Sequence, residues 1–178
     1  KSGNNYNFDN NNASEPSYVT GALGSNKNAL YFDTSENDWL RNTTSISHAE
    51  FSIFYVTRVS NDKLNNDSII AYDNGGALGK YVIDEDHDFM YNGIEYSNNY
   101  SSEHLWEIRA YVGSNNVLDF YANGIRQTNF NIPSLYLGQL PMLMAQGNGS
   151  IAESIGFFAE LLIYTNSLNT NERTNVEA

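Results

Sequence analysis

The chain contains no cysteine. Disulfide staples, zinc–thiolate sites and thiol nucleophiles are thereby excluded, and a stable fold must rest on its core alone. Proline is scarce, with 3 residues, and only 9 basic side chains stand against 21 acidic ones. A formal net charge of −12 and a pI near 4.4 repel phosphate backbones, so no nucleic-acid partner is expected. No apolar run reaches the roughly 18 residues of a membrane helix, so no membrane insertion is expected. No charged-then-apolar leader opens the chain, which begins at Lys1 and stops at Ala178 and reads as a processed or excised piece of a longer protein.

What the chain has in excess is asparagine, roughly one residue in seven, together with 13 tyrosines and 13 glycines. Asparagine accepts left-handed turn conformations and satisfies nearby backbone groups, whereas tyrosine packs well on pleated, half-buried surfaces. The combination fits strands joined by polar turns. At 178 residues one domain over 1–178 is expected, with a loop-rich segment over 1–28 that carries a short edge strand near Ser17 to Thr20. Strand-like runs then recur at 29–33, 51–59, 68–73, 80–84, 89–97, 104–112, 117–122, 125–132, 142–146 and 154–164, each bounded by Asn, Asp, Gly or Ser. The predicted fold class is all-β, a sandwich or jelly roll.

Alternation assigns faces to two of these runs. In "HLWEIRAYV", Trp106, Ile108, Ala110 and Val112 project to one side, and Glu107, Arg109 and Tyr111 to the other. In "VLDFYA", Leu118, Phe120 and Ala122 oppose Asp119 and Tyr121. One face of each is core, and the other is wet or meets a ligand. The "SNN" and "NG" turns at 114–116 and 123–124 make 104–132 a hairpin meander. The run "FFAELLIY" is apolar on both faces except at Glu160, as expected of a strand covered on both sides. After it, Asn169 or Thr170 offers a helix N-cap, and Leu168 and Val176 are placed to pack a short helix over an open sheet edge or end.

That closing segment, "AELLIYTNSLNTNERTNVEA", resembles the end of laminin-G-like domains in the concanavalin-A-like lectin/glucanase superfamily. "NALYFDTSENDWL", "AEFSIFYVTRV" and "HLWEIRAYVGSNNVLDFYANG" fall in matching order before it. The resemblance covers the chain from about Asn28 onward. It implies two curved antiparallel sheets packed as a jelly roll, with the last strand returning beside the N-terminal part. It also implies a calcium ion at the sandwich rim in many members.

Chemical motifs are sparse. Laminarinase-like members of the superfamily carry Glu-x-Asp-x-x-Glu on one strand, because glycoside hydrolysis needs two opposed carboxyl groups. "ENDWLR" starts that pattern with Glu36 and Asp38 but places Arg41 where the last acid belongs. Glu107 has no second carboxylate on its strand, and an ion pair of Arg109 with Glu107 or Asp119 is the structural alternative. The histidines His48, His87 and His104 lack metal-ligand spacing. No Gly-x-Ser-x-Gly elbow and no phosphate-binding glycine loop occurs. The acidic turn "DEDHD" offers Asp84, Asp86 and Asp88 as calcium ligands. Phe89 replaces the glycine of the helix–loop–helix calcium loop, so a solvated acidic turn is the plainer reading. Asp33, Asp73 and Glu160 are further oxygen ligands to watch.

Sugars stack C–H faces on aromatic rings and offer hydroxyls to carboxylates, amides and guanidinium groups. Glu107, Arg109, Tyr111, Asp119 and Tyr121 therefore form the expected ligand platform, rimmed by Tyr72, Tyr91, Tyr96 and Tyr100. The expected function is a non-catalytic recognition module for a glycan or surface polysaccharide, with calcium as its only candidate cofactor. It is appended to a larger extracellular, cell-surface or virion-surface protein. A structural domain with oligomeric or virion assembly partners is the alternative, and a glycan-degrading enzyme comes third. N-glycosylation sequons occur at Asn12, Asn42, Asn66, Asn99 and Asn148, a number that so much asparagine yields by chance.

Overall fold

The computed structural model describes residues 15–24, 27–33, 40–41, 45–59, 68–72, 81–84, 88–92, 94–97, 100, 105–139, 142–143 and 156–178. Along the chain run β1 (Ser17–Val19), β2 (Ala29–Phe32), β3 (Leu40–Arg41), β4 (Ser45–His48) and β5 (Phe51–Val59). They are followed by β6 (Ser68–Tyr72), β7 (Tyr81–Asp84), β8 (Phe89–Tyr91), β9 (Ile94–Tyr96) and β10 (Glu107–Ser114). The last elements are β11 (Val117–Ala122), β12 (Ile125–Asn131), β13 (Leu137–Gln139), β14 (Met142–Leu143), β15 (Gly156–Tyr164) and α1 (Thr170–Glu177).

Asparagine turns set the register of the largest sheet. Asn115 and Asn116 both adopt left-handed φ values, 50° and 64°, as do Asn123 at 49° and Gly124 at 79°. Two successive left-handed residues make the hairpin turn whose twist matches its strands. β10, β11 and β12 therefore run as an antiparallel meander with Ser114 opposite Val117 and Ala122 opposite Ile125. The full sheet has the order β1-β2-β15-β5-β10-β11-β12. A second sheet has the order β3-β14-β6-β7-β8-β9, and β13 pairs with β4. The fold is a two-sheet antiparallel jelly-roll sandwich with a short C-terminal helix.

The core lies between the two sheets. Phe32, Phe51, Ile53, Tyr55, Tyr111, Leu118 and Phe120 of the first sheet cluster with Ile69, Ile70, Ile83, Phe89 and Tyr91 of the second. Phe89 and Tyr111 meet across the gap with ring centroids 5.5 Å apart. Each such side chain, fully withdrawn from water, contributes about 1.5–3 kcal/mol.

The outer face of the seven-stranded sheet is covered as well. Tyr164 meets Phe54 edge-on at 5.8 Å. Ser52 Oγ donates to Asn166 O at 3.0 Å and accepts from Leu168 N at 2.9 Å, which ties the tail to β5. Asn169 caps α1, with its side chain accepting from Asn171 N and Glu172 N while the Glu172 carboxylate accepts from Asn169 N. Of the two N-cap candidates in the sequence, Asn169 is the one used, in a reciprocal capping arrangement.

Some expectations change. The helix lies on the outer face rather than on an edge or end: Arg173 stacks its guanidinium 3.9 Å above the Tyr121 ring and donates to Gly124 O. The expected strand over 89–97 is the hairpin β8–β9, because Asn92 turns the chain at φ 49°. Strands β3, β4 and β13, short and without clear alternation, are not evident in the sequence pattern.

Candidate functional site

The five platform residues do not share a face. In an antiparallel pair directly opposite residues project to the same side. Tyr111 lies opposite Phe120 and Arg109 opposite Ala122, so Glu107, Arg109 and Tyr111 face inward with the apolar set of β11. Asp119 lies opposite Val112 and Tyr121 opposite Ala110, on the outer face. A single glycan shelf made of all five is thereby ruled out by register. The turn arithmetic could have shown this: a two-residue turn at 115–116 forces Ser114 opposite Val117 and fixes every later pairing.

The inward group is part of the core. Tyr111 is fully buried and stacks on Phe120 at 4.9 Å and Tyr55 at 6.5 Å. Arg109 and Glu107 form a buried ion pair, with 1% and 5% of their side chains exposed. Glu107 Oε1 also accepts from Tyr100 Oη at 2.8 Å, and the Arg109 guanidinium lies 4.6 Å from the Tyr100 ring centroid. The Tyr100 hydroxyl is held above its ordinary pKa, first by burial and then by the hydrogen bond and negative charge of Glu107. Substituting Tyr111 and Arg109 therefore tests folding rather than recognition.

The outward pair is engaged too. Asp119 is bonded by Arg126, and Tyr121 lies beneath Arg173, which itself pairs with Glu177. Of the expected rim, Tyr91 is buried and Tyr96 packs on Phe130 at 5.6 Å. The Tyr72 side chain lies outside the described residues. Glu107 and Asp119, on opposite faces, do not form an opposed acid pair.

Of the calcium candidates, Asp86 and the side chain of Asp84 lie outside the described residues, as do Asp73, all five sequons, His87 and His104. Among the described residues no group of three or more His, Asp or Glu side chains converges as a metal would need, so they do not supply the rim calcium site that the resemblance implies. Among them also no helix is long and apolar enough to cross a membrane.

A concave feature does exist, on the outer face. A cleft of about 630 Å³ opens between Leu23, Lys27 and Asn28, Trp106 and the end of α1. Val56, Ile108 and Ala159 contribute apolar lining, and Glu160, Lys27, Asn28, Asn123 and Glu177 contribute polar groups. Trp106 is fixed from three sides: its indole Nε1–H donates to Ala22 O at 3.2 Å, Phe157 packs at 5.8 Å, and the Arg58 guanidinium lies 5.6 Å from the ring. Asn28 and Asn123 are also pre-set, accepting from Gly21 N at 3.2 Å and Ile108 N at 3.1 Å.

Glu160 reaches this cleft because β15 is irregular. Phe158 pairs with Thr57 and Glu160 with Val56, so Ala159 is the extra residue of a bulge. Without it Glu160 would fall opposite Tyr55 and point into the core. Strict alternation along "FFAELLIY" hides this, and the carboxylate itself, costly to bury, is the signal that a bulge precedes it.

The fold and this outer-face cleft define a β-sandwich, and solved structures share that architecture. The binding domain of Paraclostridial mosquitocidal protein 1 superposes with a TM-score of 0.71 at 16% identity, over 98% of this chain and 48% of that one. Domain 4 of an extracellular arabinanase from Geobacillus stearothermophilus, solved in complex with arabinotriose, gives 0.70 at 12% identity, over 96% and 84%. The receptor-binding domain of botulinum neurotoxin type G gives 0.63 at 18% identity, over 98% and 47%. The chain thus spans about half the length of the two toxin domains. No protein-family model and no curated protein matches the sequence. At these identities the likeness is one of fold.

Proposed function

We propose that this chain is a non-catalytic recognition domain that binds carbohydrate, with the laminin-G-like architecture of the concanavalin-A-like superfamily, carried on a larger extracellular or surface protein. The observation that carries the reading is how the ionisable groups are used. Glu107 is held by Arg109, Asp119 by Arg126 and Glu177 by Arg173, so these carboxylates serve as struts rather than as an acid–base pair across a groove. What remains open is a cleft that joins an indole with carboxamides and a carboxylate on an apolar floor, a mixture suited to a sugar. Support also comes from the neighbours, which are two toxin binding domains and an arabinanase domain solved with a trisaccharide.

A glycan array probed with the purified chain tests the proposal, with binding to a defined set of oligosaccharides as the expected result. Failure to bind any glycan would shift the reading to an assembly domain. Release of reducing sugar from a β-glucan by the purified chain would replace recognition by catalysis.

A further inference from the structure

We infer that the ligand site is the outer-face cleft at Trp106, and that it takes neutral sugar rings with the Glu160 carboxylate as hydroxyl acceptor. The inference rests on the recognition reading and deepens it by naming the place and the sugar class. Three independent features converge there. The first is the bulge at Ala159, an irregularity in a long central strand that brings a carboxylate to the outer surface of the sheet. Glu160 is exposed, and among the described residues no cation pairs with it, in contrast to Glu107, Asp119 and Glu177.

The second is the locked indole. A ring already held by Ala22 O, Phe157 and Arg58 needs no ordering when a ligand arrives. Preorganisation of this kind removes a cost that weak sugar binding can least carry. The third is the amide pair. Asn28 and Asn123, each anchored through Oδ1 to a backbone N–H, line the same cleft.

Size and charge narrow the ligand. A volume of about 630 Å³ falls in the range of small-molecule pockets and holds a short oligosaccharide segment rather than a protein loop. A carboxylate with no cation partner among the described residues, inside a molecule of net charge −12, disfavours sialylated and uronic-acid sugars.

The test uses an array carrying neutral hexose and pentose oligosaccharides beside sialylated and uronate-containing ones, followed by calorimetric titration of the tightest neutral ligand. Glu160→Ala is expected to weaken binding roughly ten- to hundredfold, the loss of one hydrogen bond to a charged acceptor. Trp106→Phe, which keeps a packed ring but shortens the platform, is expected to weaken it by about tenfold. Arg126→Ala, on the same sheet face but away from the cleft, is expected to leave affinity unchanged. Circular dichroism and thermal unfolding verify that each variant is folded.

If a neutral glycan binds and neither Glu160→Ala nor Trp106→Phe weakens it, the cleft is not the site although carbohydrate recognition stands. Tightest binding to an acidic glycan overturns the sugar class. Binding of spermidine, abolished by Glu160→Ala, with no glycan bound overturns both the inference and the carbohydrate reading.

Discussion

Glu107 and Arg109 stand two residues apart on one strand and face the space between the sheets, almost wholly withdrawn from water. Removing one partner of such a pair leaves the other charge uncompensated in a poor solvent, at a cost of about 3–5 kcal/mol. Arg109→Met is therefore expected to lower the urea midpoint sharply. Combining it with Glu107→Leu is expected to recover most of that loss, because two apolar side chains of similar size need no solvation. A double variant as unstable as the single one would contradict this account. Two glycines act at the same scale through space rather than charge. A Cβ at Gly156 would lie 2.6 Å from Arg58 O, and one at Gly113 would lie 2.6 Å from the Phe51 ring. The first obstacle is backbone in a central strand pair, and the second is a buried ring that can shift slightly. Overpacking costs about 1–3 kcal/mol, so Gly156→Ala is expected to destabilise more than Gly113→Ala in thermal melts.

Among the elements, two of the devices that hold α1 and the tail, beside the Arg173 contacts to Tyr121 and Gly124, can be removed separately. Asn169→Ala deletes the reciprocal cap, which costs about 1 kcal/mol. Ser52→Ala deletes the hydroxyl that bridges Asn166 O and Leu168 N and leaves a part-buried backbone N–H without that partner, which costs about 1 kcal/mol. Both variants are expected to speed hydrogen exchange over 169–177 while amides of β5 and β10 keep their protection. Uniform acceleration throughout the sheet would show that the tail is not a separate unit. The elements also show which parts of the fold are legible in the sequence. β5 and β11 occupy the runs 51–59 and 117–122 that their composition and bounding turns indicate, and the cap at Asn169 follows from short-range chemistry. The face that carries the proposed ligand site is not legible from alternation alone. Both sides of β10 are covered, one by the second sheet and one by the tail and the stretch around Ala22 and Asn28, so apolar parity carries no sign. Only the turn register joins Tyr111 to Phe120, and only the bulge at Ala159 explains Glu160.

For the molecule as a whole, the tyrosines tie the fold to pH. Tyr91 of the second sheet is buried, donates to Ser134 O at 2.8 Å and accepts from Tyr136 N at 3.2 Å, linking that sheet to the segment leaving β12. Burial raises its hydroxyl pKa above the ordinary 10.0, an effect reduced by Asn92 and reinforced by Tyr96. Tyr100 shifts in the same direction through burial and Glu107. In both cases the folded state holds its proton to higher pH than the unfolded chain does. Their contribution is complete below pH 10 and is lost as the pH rises through the folded-state values, because the unfolded chain then ionises first. Stability measured by urea unfolding is therefore expected to decline on passing from pH 9 to pH 11. Tyr100→Phe lacks the Glu107 hydrogen bond and should begin lower at pH 8, but it has one fewer hydroxyl to ionise and should decline less steeply. Parallel declines in the two proteins would remove Tyr100 from the alkaline response and leave it to Tyr91, whose hydroxyl joins β8 to the segment after β12.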